Sequence, residues 1–103
     1  MKHSILCVDD EADNVDALER LFRKKYRVLK ATSGEAALEI LAQNLVEREK
    51  SGGFFSAATK AQPPITVIIS DQRMPNMSGV ELLAESIKTH PSAIRILLTG
   101  YTD

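Results

Sequence analysis

The sequence is poor in several features that would assign its class at once. It has one cysteine and no tryptophan among 103 residues, and no apolar run reaches the roughly 20 residues that cross a bilayer. A single cysteine excludes an internal disulfide framework and suits a reducing compartment, so we expect a cytoplasmic protein without a membrane anchor. The formal net charge is only -1, which argues against direct nucleic-acid binding because such domains usually carry a basic face.

The sequence does contain a regular alternation of short apolar runs and amphipathic stretches. Four apolar runs predict β-strands, and three stretches with helical spacing lie between them. The predicted strands are Ser4–Val8, Tyr26–Ala31, Ile65–Ser70 and Ala93–Leu98. This βαβαβαβ order, in a chain long enough for one domain, predicts an α/β fold with a parallel sheet and right-handed crossovers.

The helices are marked by caps and apolar faces. The first is expected over about residues 11–24, and capping-box patterns at Thr32–Glu35 and Ser78–Glu81 begin the second and third. Helical spacing predicts core-facing apolar residues on the first and third helices. These are Val15, Leu18, Leu21 and Phe22 on the first helix and Val80, Leu83, Ala84 and Ile87 on the third.

One irregular segment interrupts this pattern, at about residues 48–64. Glycine and proline pairs punctuate Ser51–Pro64, which favours a long loop. Phe54 and Phe55 within it either form a small satellite cluster or offer an apolar patch to a partner. Elsewhere, His3 and His90 lie near element ends and are expected to be solvated or capping residues.

Acidic and hydroxyl residues follow three of the predicted strands. Asp9 and Asp10 come after the first strand, Asp71 after the third and Thr99 after the fourth. Because the carboxyl ends of parallel strands meet at one edge, we expect these side chains to share a crevice. Three crowded carboxylates repel one another, so either some stay protonated or a cation lies among them. Oxygen ligands suit Mg²⁺ (or Mn²⁺), and the lack of nearby cysteine or histidine argues against zinc.

The same residues suggest a reaction. A carboxylate such as Asp71 can attack phosphorus and form an acyl phosphate. A bound cation would neutralise phosphoryl charge, and the Thr99 hydroxyl could donate to a phosphoryl oxygen.

Three segments carry a family resemblance: ILCVDDEADN at 5–14, ISDQRMPNMSGVELL at 69–83 and RILLTGYTD at 95–103. Together they closely resemble the receiver domain of bacterial two-component response regulators. The resemblance implies a flavodoxin-like, doubly wound sheet with strand order 2-1-3-4. It implies that Asp71 accepts a phosphoryl group from a sensor histidine kinase or phosphotransfer protein. It also implies that Asp10 ligates Mg²⁺ directly and Asp9 through water, and that the Arg73 backbone carbonyl is a further ligand. Thr99 matches the hydroxyl residue that contacts the phosphoryl group and switches on activation.

The sequence also departs from the family pattern. Ser78 stands where an aspartate is common, and the family's fifth strand, with its lysine and aromatic switch residue, has no counterpart; Tyr101 is not that aromatic residue. We interpret the chain as a partial receiver domain, truncated after the fourth strand, whose effector lies outside it. Strand four would then be an exposed apolar edge, which favours a homodimer or domain-swapped assembly.

Two other functions stay open at this stage. The chain could be a phosphotransfer-impaired receiver fragment that acts as a binding or dimerisation module. It could also be a metal-dependent phosphatase with an aspartyl nucleophile, although such enzymes usually carry a second acid at the position of Arg73. As a receiver, it would not be a conventional enzyme, because it would assist only its own phosphorylation.

Overall fold

The computed structural model describes residues 3–51 and 63–99, which contain four strands and three helices. In chain order the elements are β1 (Ser4–Val8), α1 (Ala12–Phe22), β2 (Arg27–Ala31), α2 (Gly34–Ser51), β3 (Ile65–Asp71), α3 (Gly79–Ser86) and β4 (Ile94–Leu98). The predictions for Phe54, Phe55 and Tyr101 concern residues outside the described ranges. Within those ranges, no helix combines the length and the apolar character needed to cross a membrane.

The four strands form one parallel sheet in the order β2-β1-β3-β4, which confirms the predicted fold class and strand order. β1 is buried at all five positions because it lies between β2 and β3 and is covered on both faces. This explains its uninterrupted apolar sequence, which is typical of parallel strands inside a sheet. β2 is an edge strand, and its exposed Lys30 forms ion pairs with Asp16 and Glu19 of α1.

The core has two parts, one on each face of the sheet. The larger joins the sheet to α2 and α3 and consists of Leu6, Val8, Ala31, Ala37, Leu41, Ile65, Ile68 and Leu82. The smaller joins the sheet to α1 and consists of Ile5, Cys7, Val15 and Ile69. Alternate residues of β1 therefore serve opposite core clusters, as the pleat of a strand requires. Burial also raises the pKa of the Cys7 thiol to about 11, which makes it an inert core residue.

Both ends of the second helix differ from the predicted ones. The capping residue is Ser33 rather than Thr32, because the Ser33 hydroxyl accepts a hydrogen bond of 3.0 Å from the Ala36 backbone N–H. At the other end, residues 48–51 continue α2, whereas the sequence predicted an irregular segment from about residue 48. Charged residues near 47–50 weakened the apolar pattern there without ending the helix.

The predicted core face of α3 is wrong at Val80, Ala84 and Ile87, and only Leu83 packs against the larger core cluster. Val80 and Ile87 are each 53% exposed, whereas Gly79, Leu82 and Ser86 are buried. The cause is the close approach of Gly79 to the end of β3, which turns positions 79, 82 and 86 toward the sheet. On α1 the prediction fails only at Leu21, which is 70% exposed, while Val15 is buried.

His90 is also different from the prediction, because it is buried rather than solvated. Its Nε2 lies 2.8 Å from Asn44 Oδ1, and Asn44 Oδ1 also accepts a hydrogen bond from the Ile65 backbone N–H. The second contact identifies this Asn44 atom as the oxygen, so His90 Nε2 is the donor. The Arg95 guanidinium donates to the His90 carbonyl. Together these contacts join the turn before β4 to α2, β3 and β4.

Candidate functional site

Three carboxylates converge at the carboxyl edge of the sheet. Asp9 and Asp10 follow β1 and Asp71 ends β3, and one oxygen from each lies within 4.8 Å of the other two. Asp9 is buried, Asp71 is half-buried and Asp10 is exposed. The structure therefore brings together the three acids that the sequence placed at this edge.

Asp9 is held in one orientation by two donors. Its Oδ1 accepts a hydrogen bond of 2.9 Å from the Glu11 backbone N–H, and its Oδ2 accepts one of 3.2 Å from Asn14 Nδ2. The sequence did not single out Asn14, because it reads as an ordinary polar position in the first turn of α1. The only sequence feature that could have pointed to Asn14 was its place in the first turn of α1, directly after the acids that end β1.

The surroundings of Asp71 oppose its negative charge. Burial is the largest cause of its raised pKa, followed by the negative charge of Asp9, and Asp10 acts in the same direction. A hydrogen bond from the Gln72 backbone and the positive charge of Arg73 oppose this increase only in part. A hard cation would relieve the repulsion, and carboxylate oxygens are the ligands that such cations prefer. The donor set therefore fits Mg²⁺ or Mn²⁺.

The backbone of Asp71 is fixed from two sides. The hydroxyl of the fully buried Ser70 donates a hydrogen bond of 2.9 Å to the Asp71 carbonyl oxygen. On the other side, a Cβ at Gly79 would collide with that same oxygen and lie 2.6 Å from Leu97 Cδ1. Only glycine leaves room for this approach of α3 to the end of β3. The position of the Asp71 side chain thus depends on packing behind the site.

Comparison with known proteins now identifies the family. The family model for the response regulator receiver domain matches residues 5–103. The chain belongs to the response regulator receiver domain family. A curated relative, the hydrogenase transcriptional regulatory protein HoxA of Cupriavidus necator, is 35% identical over 100 residues. That match takes in 97% of this chain but only 17% of the relative, so this receiver chain spans a small part of the length of HoxA.

Solved receiver domains share the fold. One is the receiver domain of the histidine kinase CKI1 from Arabidopsis thaliana, which was solved with Mg²⁺ and BeF₃⁻. It is 26% identical to this chain with a TM-score of 0.76, and the match covers 97% of this chain and 67% of the solved one. A response regulator receiver domain protein from Clostridium thermocellum is 29% identical with a TM-score of 0.70, covering 98% and 68%. This chain therefore covers about two thirds of each of these solved chains.

Two further predicted site residues of this receiver lie next to the acids in sequence or register. Arg73 is exposed in the turn after β3, two residues beyond Asp71. Thr99 is exposed and follows Leu98, whose register partner across the sheet is Asp71. The ends of the two strands are also joined by a hydrogen bond of 3.2 Å from the Gln72 N–H to the Leu98 carbonyl. Thr99 thus lies at the same edge as the acids, and the roles assigned to Thr99 and Arg73 stay predictions.

Proposed function

We propose that this receiver domain accepts a phosphoryl group on Asp71 from a sensor histidine kinase or a phosphotransfer protein. The observation that carries the proposal is the convergence of Asp9, Asp10 and Asp71 within 4.8 Å at one edge of the sheet. Asp71 is the half-buried member of the three and ends the central strand β3, whereas Asp9 is committed to two hydrogen bonds. These differences support Asp71 as the nucleophile and Asp9 as a fixed anchor.

The reaction would be a phosphoryl transfer between two side chains. An Asp71 oxygen attacks the phosphorus of the donor phosphohistidine, the P–N bond breaks, and the imidazole leaves with the bonding electrons. Asp9, Asp10, Asp71 and the Arg73 carbonyl would hold Mg²⁺ or Mn²⁺, which supplies neutralisation of the phosphoryl charge. The Thr99 hydroxyl would donate to a phosphoryl oxygen. The domain modifies only itself and is not an enzyme in the usual sense.

The modified site would act as a cytoplasmic signalling switch. The phosphoryl group carries about −1.5 to −2 charges near neutral pH, in place of the single negative charge of the Asp71 carboxylate, and lies next to the ends of β3 and β4. Contact with Thr99 would then favour one of two arrangements of this edge, and the change would reach an effector outside this chain. The HoxA match supports such an arrangement, because that relative is a transcriptional regulatory protein much longer than this chain.

The test is an intact-mass measurement after incubation with Mg²⁺ and a small-molecule phosphodonor such as phosphoramidate. We expect a gain of one phosphoryl group in the wild-type chain and none in Asp71→Asn. Asp10→Asn, which keeps the nucleophile but loses a proposed ligand, should slow the gain strongly. A gain that persists in Asp71→Asn would refute the assignment of the acceptor.

A second candidate function is favoured by one observation, the apolar stripe on β4. Ile94, Ile96 and Leu98 are 64%, 40% and 41% exposed, and they lie on one face of the last described strand. A phosphotransfer-impaired module that forms a homodimer or a domain-swapped assembly through β4 would cover them. If Asp71 gains no phosphoryl group while the chain self-associates, this second function describes the chain better.

A further inference from the structure

Gln72, the residue that follows Asp71, connects three parts of the candidate site. Its backbone N–H donates to the Leu98 carbonyl at 3.2 Å, and its backbone carbonyl accepts from the Gly79 N–H at 3.1 Å. Its side-chain Oε1 accepts a further hydrogen bond of 2.9 Å from the Val80 N–H. One residue thus joins the ends of β3 and β4 to the start of α3.

These contacts close residues 72–80 into a compact loop that contains Arg73. The first backbone N–H groups of a helix have no hydrogen-bond partner within the helix. In α3, the side chains of two different residues accept hydrogen bonds from two of these groups. Gln72 accepts from Val80, whereas Ser78 accepts from Glu81 at 3.2 Å. Both side chains cap the same helix, but only Gln72 belongs to the end of the strand that carries Asp71.

We propose that Gln72 is a positioning residue, whose side chain keeps the loop closed and so fixes the Arg73 backbone relative to Asp71. The inference rests on the proposed function, in which the Arg73 carbonyl and Asp71 hold the cation. Gln72 itself would touch neither the cation nor the phosphoryl group. It would act as outer residues around metal sites do, by restricting the ligands to the geometry that the ion requires.

The loop also contains a local turn, in addition to the hydrogen bonds of Gln72. The turn at its centre contains a hydrogen bond of 2.8 Å from the Met77 N–H to the Pro75 carbonyl, and Asn76 has a positive φ of 70°. This short turn constrains its own residues but reaches neither Asp71 nor Arg73. The hydrogen bonds of Gln72 and the close packing of Gly79 on the Asp71 carbonyl join the two ends of the loop.

Two variants separate positioning from simple helix capping. Gln72→Met keeps the length of the side chain but removes the acceptor for Val80, and Ser78→Ala removes the acceptor for Glu81. We would titrate Mg²⁺ alone into each protein by calorimetry and follow thermal unfolding in chelator. Both variants should unfold at a lower temperature than wild type. Gln72→Met should also raise the Mg²⁺ dissociation constant by about tenfold, the loss typical of outer residues at metal sites, while Ser78→Ala should change it by less than about twofold.

The outcomes distinguish this inference from the proposed function. If wild type binds Mg²⁺ and the two variants lose affinity equally, or neither loses any, Gln72 acts only as a cap and the inference is wrong. If wild type binds no Mg²⁺, the proposed function fails, and amide hydrogen exchange in the metal-free protein decides the inference. Faster exchange over residues 73–77 in Gln72→Met than in Ser78→Ala would support it, and equal rates would overturn it.

Discussion

At the scale of single residues, the space around Gly79 makes the clearest demand on the sequence. Any Cβ there meets the Asp71 carbonyl oxygen and the side chain of the half-buried Leu97, and the β3 backbone cannot move freely. We expect Gly79→Ala to lower the free energy of unfolding by about 1–3 kcal/mol, the usual cost of overpacking. Gly34→Ala is the comparison, because the three atoms nearest to its Cβ, at 2.7–2.9 Å, all belong to the Met77 side chain and none to a backbone. Urea denaturation should show the smaller loss at Gly34, and equal losses would contradict this account.

The charge at Asp71 gives a second residue-scale prediction. The three acids lie within 4.8 Å of one another, and two unit charges at that separation repel by roughly 3 kcal/mol at an effective dielectric of about 20. Part of this is screened because the site is open to solvent. In chelator at low salt, Asp71→Asn should therefore unfold at a higher temperature than wild type. Added Mg²⁺ should stabilise wild type more than the variant, and a destabilised variant in chelator would contradict the repulsion.

His90 should make stability depend on pH. Burial lowers the pKa of the His90 imidazole below its usual value, and the positive charges of Arg48 and Arg95 act in the same direction. The unfolded chain therefore binds this proton more tightly than the folded protein does. The free energy of unfolding should be constant above the unfolded-state pKa, should fall as the pH drops below about 6.5, and should level off below the folded-state pKa.

The check is denaturation across this pH range with two histidine variants. His90→Gln can still donate to Asn44 but does not titrate, so it should remove the fall in stability that begins below about pH 6.5. His3→Gln, at an exposed position, should keep this fall. A fall that survives in His90→Gln would assign it to another group.

The positions of single residues could be predicted where the order of the strands along the chain determines them. Asp9, Asp10 and Asp71 were found because parallel strands bring their carboxyl ends to one edge of the sheet. The burial of His90 and the contacts of Gln72 and Asn14 could not be found this way. Each depends on a partner in another element, and sequence spacing does not show which partner a polar side chain meets.

At the scale of elements, the start of α3 is predicted by its sequence and can be tested directly. The structure confirms the capping box, in which Ser78 Oγ accepts from the Glu81 N–H and Glu81 Oε1 accepts from the Ser78 N–H. Ser78→Ala should lower the free energy of unfolding by about 1 kcal/mol, the usual cost of losing a serine cap. Thermal unfolding in chelator measures this loss. A Ser78→Asp variant, which keeps a capping acceptor, should restore most of it, and an equal loss in both variants would contradict the capping role.

The orientation of α3 shows why a helix can be predicted more easily than the face it buries. Apolar spacing over Val80, Leu83 and Ile87 is regular, yet the buried positions include Gly79 and Ser86, which carry little or no apolar side chain. The helix is rotated by backbone contact at Gly79, and steric contact of this kind leaves no periodic signal. As a result, Val80 and Ile87 lie on the surface of the described part of the chain.

At the scale of the whole molecule, the exposed stripe of β4 predicts self-association. Ile96 lies at its centre and is 40% exposed. Sedimentation velocity should show the wild-type chain associating as its concentration rises, and Ile96→Lys should shift it toward monomer, because a lysine on an edge strand discourages pairing. Val80→Lys is the control, since Val80 is exposed on α3 and away from this strand. A wild-type chain that stays monomeric at high concentration would count against the assembly.

The topology of the four described strands could be predicted because it follows from the alternation of apolar runs and helical stretches along the chain, not from individual contacts. Four apolar runs separated by helical stretches leave few arrangements once crossovers are right-handed, and the family resemblance chose among them. Boundaries were less certain, as the extension of α2 through residues 48–51 illustrates.

The central position of β1 has a consequence for how the chain folds. β1 pairs with β2 across a single helix, but it pairs with β3 only after α2 and the segment beyond it have been crossed. Bringing the ends of a longer loop together costs more entropy, so the unit of β1, α1 and β2 should form before β3 docks. The strand that ends in Asp71 would then dock on the free edge of β1, and β4 would follow it. The acidic cluster, shared between these two stages, would be among the last parts of the molecule to assemble.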